Sequence, residues 1–210
     1  NVAAALFIFF TIALTSYFYL QLPKQPTQHV QSFSKLTPLT STDRPEYFST
    51  FSPNGEFIAF TRHTEIDNHG QADLWIRSLT TEKEQQITQE AGHAGEPAWS
   101  IDGTKIAFIL ESSNKADTST SIYATQISQA QTIDNFANQA TLLHECNTFR
   151  CSSVQWVNNE SIAFIEKHPN HNRIVIKQLK QQQLRTLYQQ TEMTPYALSY
   201  AQTRKQLAVM

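Results

Sequence analysis

Four stretches of the chain repeat one pattern: an aromatic residue, a polar turn, then a short apolar run. They read TFSPNGEFIAF ending at Phe60, AWSIDGTKIAF at Phe108, QWVNNESIAF at Phe164 and SYAQTRKQLAV at Val209. Their aromatics, Phe51, Trp99, Trp156 and Tyr200, stand 48, 57 and 44 residues apart. After each of the first three apolar runs comes a further segment rich in β-branched, aromatic and aliphatic residues: DLWIRSL (73–79), SIYATQI (121–127) and RIVIKQL (173–179). A fourth follows, as QQIT around Ile87, ATLL around Leu142 and LRTL around Leu187. Four strands recurring at such a period predict an all-β chain built of propeller blades.

The turns agree with hairpins. Pro53 fixes φ, and Asn54 and Gly55 tolerate the left-handed region; Asp102 and Gly103 serve the second unit in the same way. Asn158-Asn159 replaces this pair with one residue fewer, and Thr203-Arg204 is degenerate. A small residue recurs in each apolar run: Ala59, Ala107, Ala163 and Ala208. Blades stack face to face, so a small side chain at a fixed place leaves room for the neighbouring blade's aromatic. Trp99 and Trp156 are therefore expected in the core rather than stacked on a ligand, with Phe51 and Tyr200 in matching positions. The second unit is the longest, and residues 128–139 are expected to form a protruding loop.

The beginning of the chain is different. Val2–Leu22 holds no charged residue and, as a helix, would rise about 30 Å, enough to span a bilayer. Tyr17 and Tyr19 suit its interfacial end. An uncleaved membrane anchor is expected; the rival, a cleavable signal peptide, wants a basic start and a small-residue cut site that are not evident. Residues 23–44, rich in Pro, Ser, Thr and Gln without sustained period, read as a polar tether. The expected domains are thus a transmembrane helix (1–22), the tether (23–44) and a propeller segment (45–210). Its blades fall at about 45–90, 95–146 and 152–190, with the start of a fourth at 194–210. The chain opens on Asn1 and stops within a strand-like run, so a fragment of a longer protein is expected.

Composition narrows the function. Sixteen Lys and Arg against 18 Asp and Glu give a net charge of −2, with no concentrated basic surface for nucleic acid. No G-x-S-x-G, H-E-x-x-H or phosphate-binding glycine loop occurs, so neither a catalytic residue nor a cofactor is assigned.

Cys146 and Cys151 are the only cysteines, bracketing the link between the second and third blades. A disulfide here would contribute about 2 kcal/mol on the chain-entropy model and needs an oxidising compartment, which favours a periplasmic propeller. Redox sensing by the pair is the alternative. A zinc site is disfavoured, because C-x4-C is wider than the usual knuckle and no second pair exists, although His144 offers a third ligand. His63, His69 and His93, and the pair His168 and His171, are expected in solvated loops. Nothing in their spacing selects a pH-sensing role.

The segments FSPNGEFIAF and AWSIDGTKIAF, with DLWIRSL and SIYATQI, resemble TolB-like propeller repeats, whose usual core is W-S-P-D-G-x-x-I-A-F. The resemblance spans about residues 45–210 and is closest in the first two units. A narrower one rests on the apolar helix, the tether, the run from Pro38 to Phe60 and the cysteine pair. Together these resemble CadC/ToxR-type membrane regulators. That resemblance implies a single-pass inner-membrane protein with a periplasmic sensory propeller that binds a protein partner or itself. It also implies a DNA-binding domain before Asn1, with no DNA-contacting residue in this chain. The rivals are the propeller of a membrane-anchored dipeptidyl-peptidase-like serine peptidase and an envelope scaffold without signalling.

Overall fold

The computed structural model describes residues 10–17, 38–40, 42–64, 71–88, 92–112, 119–127, 140–146, 148–191 and 195–210. The chain divides into two units, Asn1–Ser41 and Thr42–Met210.

In the first unit, residues 10–17 are helical, with Phe10, Ile12, Leu14 and Tyr17 exposed. Of the expected transmembrane helix over Val2–Leu22, residues 10–17 are described, and all of them are helical. Among the described residues no helix is long and apolar enough to cross a membrane. The rest of the anchor segment and most of the tether lie outside the described residues.

The second unit is all strand and turn. Its first set comprises β1 (Glu46–Phe51), β2 (Phe57–His63), β3 (Ala72–Ser78) and β4 (Glu84–Gln86). The second comprises β5 (Gly92–Trp99), β6 (Lys105–Ser112), β7 (Thr120–Gln126) and β8 (Thr141–Cys146). β9 (Arg150–Asn158), β10 (Ser161–Lys167), β11 (Asn172–Gln178) and β12 (Gln183–Gln190) make the third, and the hairpin β13 (Leu198–Ala201) and β14 (Gln206–Val209) follows. Each set is antiparallel in chain order. A parallel bridge between Ala72 and His93 joins the first two into one eight-stranded sheet.

The turn chemistry is visible atom by atom. Gly55 and Gly103 take φ of 72° and 70°. Ser52 Oγ donates to Asn54 Oδ1 at 2.7 Å and accepts from Phe57 N at 3.0 Å. Ser100 Oγ repeats this with Asp102 Oδ1 at 2.6 Å and Lys105 N at 2.9 Å. The serine that follows the aromatic is thus a buried tie across the hairpin. In the third unit Val157 takes its place, and Asn158 Oδ1 instead accepts from Glu160 N at 2.8 Å.

Burial lies between sets. Ala59, Leu74 and Ile76 of the first set form one cluster with Trp99, Ile106 and Phe108 of the second. Ala98, Ala107 and Ile122 of the second meet Val154, Trp156 and Phe164 of the third. Ala163, Ile165 and Ile174 then meet Leu198, with Leu207 against them. Central strands consequently bury both faces, and β2 shows no inside–outside alternation.

The periphery departs from expectation. Phe51 is 58 % exposed, because no described set packs on its side of β1. Ala208 is exposed and Tyr200 half-buried. β4 ends before Ile87, which is nevertheless buried in the first interface. The expected loop 128–139 and His69 lie outside the described residues. His63 and His93 are not loop residues: they sit in β2 and β5, where cross-strand packing buries His63 and half-buries His93.

Candidate interaction groove on the inner strands

The first strand of each set, β1, β5, β9 and β13, touches the next, forming an inner row. Three of these strands carry the same irregularity. Phe48, Glu96 and Ser153 have φ of 53°, 52° and 54°, each three residues before Phe51, Trp99 or Trp156. The ladder slips between Tyr47 and Thr50, between Gly95 and Ala98, and between Ser152 and Gln155. Each is a β-bulge in left-handed backbone, which costs a non-glycine residue about 1–2 kcal/mol and re-aims its side chain.

Contacts between sets offset this strain. The Phe48 ring packs over Gly95 of the next set, 3.5 Å from where a Cβ would stand, an ordinary van der Waals distance. A carboxylate oxygen of Glu96 accepts the backbone N–H of Ser153. Ser153 Oγ in turn accepts Leu198 N at 2.6 Å. The bulges are therefore linked from one inner strand to the next.

Two openings flank this row. One, of about 260 Å³, is lined by His93, Glu96, Glu111, Arg150, Cys151 and Lys167 among others. The other, of about 250 Å³, is lined by Thr50, Ser153, Gln155 and Tyr196, and shares Phe48 and Glu96 with the first. Arg150 pairs with Glu111 at 2.6 Å. Burial raises the Glu96 carboxyl above the ordinary range, opposed by the Ser153 N–H and by Lys167 and Arg150.

At one end the Tyr47 hydroxyl bridges His63 Nε2 at 2.9 Å and His93 Nε2 at 2.8 Å. Burial pushes the Tyr47 pKa up to about 12. Burial lowers that of His93, His63 lowers it further, and Glu111 opposes both. The groove thus offers an aromatic edge, charges of both signs and a neutral histidine at physiological pH. Such a mixed lining suits a polypeptide surface.

Apart from Cys151, which lines the first opening, the residues singled out in the sequence fall elsewhere. Trp99 and Trp156 are 9 % and 3 % exposed and face the interfaces between sets. Pro53, Gly55, Asp102 and Gly103 occupy hairpin turns, and Asp102 N donates to Asn159 Oδ1 of the next set at 3.3 Å. Cys146 and Cys151 form a disulfide with Cα atoms 5.9 Å apart. The bulge residues had no sequence signal of their own, since Phe48, Glu96 and Ser153 share no chemistry. Only their fixed distance ahead of the aromatics marks them.

Comparison with known proteins gives the fold. No protein-family profile matches the chain. Seventy-six of its residues are 28 % identical to the Tol-Pal system protein TolB of Alcanivorax borkumensis, covering 36 % of this chain and 17 % of that protein. The structure of TolB from Acinetobacter baumannii matches with a TM-score of 0.65 and 13 % identity, over 84 % of this chain and 40 % of its own. A puromycin-hydrolyzing peptidase of Mycobacterium tuberculosis matches with a TM-score of 0.53 and 14 % identity, over 70 % of this chain and 24 % of its own. The chain spans less than half the length of each of these proteins. The second unit has a TolB-like β-propeller fold.

Proposed function

We propose that this chain is the sensory, protein-binding part of a single-pass inner-membrane transcriptional regulator of the CadC/ToxR type. Residues 1–22 anchor it, 23–44 tether it, and 45–210 contribute periplasmic blades. DNA is contacted by a domain outside this sequence. The observation that carries the binding role is the row of linked bulges at Phe48, Glu96 and Ser153. It spends backbone strain to present unlike side chains in one groove on an otherwise regular scaffold. Two further features support the setting. The helical residues 10–17 expose Phe10, Ile12 and Leu14, as a lipid-embedded segment would, and the disulfide suits an oxidising compartment.

The complete gene tests this in cells, with a transcriptional reporter and occupancy of target DNA as readouts. Phe48→Arg and Lys167→Glu change the groove at residues that lie outside the buried hydrophobic clusters between sets. They are expected to alter signal-dependent reporter output while the protein remains at wild-type level. Unchanged output from both would overturn the groove as the sensing face. A second reading, the propeller of a membrane-anchored serine peptidase, is supported by the likeness to the puromycin-hydrolyzing peptidase. It predicts a G-x-S-x-G segment later in the gene and peptidase activity that needs it.

A further inference from the structure

The cysteine pair has an unexplained neighbour. β8 alternates, so His144 lies on the same face as Cys146. Its ring is held by Phe164 at 4.8 Å and Phe149 at 6.3 Å between centroids. Its Nε2 is buried and makes no hydrogen bond among the described residues, with Glu166 Oε1 standing 3.8 Å away. A buried polar atom without a partner costs about 1–3 kcal/mol and asks for a reason. A ring nitrogen of His144 and the Sγ atoms of Cys146 and Cys151 all lie within 4.8 Å of one another.

We propose that reduction of the Cys146–Cys151 disulfide opens a site for one zinc-like divalent cation, held by both sulfurs and His144. A water completes the fourth position. The sequence alone argued against zinc, because the cysteines are five residues apart and no second pair exists. The fold answers by supplying a preoriented imidazole from the same strand.

The redox step balances with an external dithiol. One of its thiolates attacks a cysteine sulfur, and the second displaces the mixed disulfide. The Cys146–Cys151 bond breaks, two electrons and two protons pass to the protein, and the dithiol leaves as its own disulfide. Cation binding then releases both thiol protons to water. Both cysteines are buried, and Cys151 is the one of the two that lines the open groove of about 260 Å³, so the dithiol approaches from that side.

The geometry needs little movement. Bonds of about 2.3 Å to sulfur and about 2.0 Å to nitrogen place tetrahedral ligands roughly 3.5–3.8 Å apart. His144 therefore closes by about 1 Å from the observed spread, while the sulfurs separate. Two thiolates, a neutral imidazole and a divalent cation sum to zero charge, which suits a buried position. The charged groups facing the site are already engaged. Arg173 Nε donates to Glu166 Oε2 at 2.7 Å, and Lys177 Nζ to the Leu143 carbonyl at 2.6 Å.

The test is cobalt spectroscopy on the full chain. The protein is reduced with a dithiol without oxygen, desalted, checked for two free thiols and titrated with cobalt(II) alone. One equivalent is expected to bring thiolate-to-cobalt charge transfer and intense visible bands of a tetrahedral site, absent from the oxidised protein. His144→Ala, or His144→Gln if the alanine variant is unfolded by circular dichroism, is expected to weaken binding at least tenfold. Two free thiols with no charge-transfer band, or the same affinity in the folded variant, would overturn the site.

Discussion

The indole Nε1 of Trp156 donates to the backbone carbonyl of Ala98 at 3.1 Å, the residue just ahead of the preceding set's own aromatic. One set earlier, Trp99 repeats the relation with the Thr50 carbonyl at 3.3 Å. The repeated tryptophans are therefore ties between sets as well as core side chains. Trp156→Phe keeps an aromatic ring and loses the donor, so it is expected to cost about 1–2 kcal/mol. Trp156→Ala is expected to cost about 3–5 kcal/mol. Urea unfolding checks both, and a Trp156→Phe protein as stable as the wild type would contradict the tie.

Two glycines separate strain from crowding. Gly55 has φ of 72° and nothing within 4 Å of an added Cβ, so Gly55→Ala meets only the left-handed backbone penalty, about 1 kcal/mol. At Gly92 an added Cβ would stand 2.5 Å from the Glu111 carbonyl oxygen of the paired strand. Gly92→Ala must push backbone apart and is expected to be clearly the more destabilising by thermal unfolding.

Removing the crosslink with paired Cys146→Ser and Cys151→Ser changes is expected to lower stability by about 2 kcal/mol, through freedom regained by the unfolded chain. Denaturant midpoints with and without reductant should differ for the wild type and coincide for the variant. Equal midpoints for the wild type would contradict a structural role.

Acid should weaken the inner row. His93 is held below the ordinary histidine range by burial, then by His63, with Glu111 opposing; Tyr47 is the other group facing it. The unfolded chain then binds more protons than the folded one just below about pH 6.5, so stability falls as pH drops through that window. His144 adds a shift of the same sign, with Lys177, Glu166 and Glu145 around it. The raised Glu96 carboxyl acts oppositely, contributing stability that is lost as pH rises through its folded value. Unfolding measured from pH 7 to 5 should show the decline, and His93→Gln should flatten it.

The repeat was legible because it is made of residues with fixed local roles. Asn54-Gly55 and Asp102-Gly103 announce hairpins, and Ala59, Ala107 and Ala163 announce close stacking of sets. Strand boundaries read this way differ from the observed ones by about one residue, as in β3, β7 and β11. The groove was not legible. Its bulges depend on register between strands, and their side chains vary from set to set. His63 and His93 look like loop residues in the sequence because flanking polar residues hide their strands. Phe51 follows the pattern of the buried aromatics yet is exposed, since burial depends on a neighbour that the pattern cannot supply.

The central claim, that the inner groove is the partner-binding face, is tested most directly by a photo-crosslinking amino acid placed at Phe48 in the complete protein in cells. Its control is the same residue at the exposed Leu184 of β12. The account predicts one discrete crosslinked protein from position 48 that disappears when Lys167→Glu is added, and none of that species from position 184. The same species from both positions, or no crosslink from position 48, would contradict it.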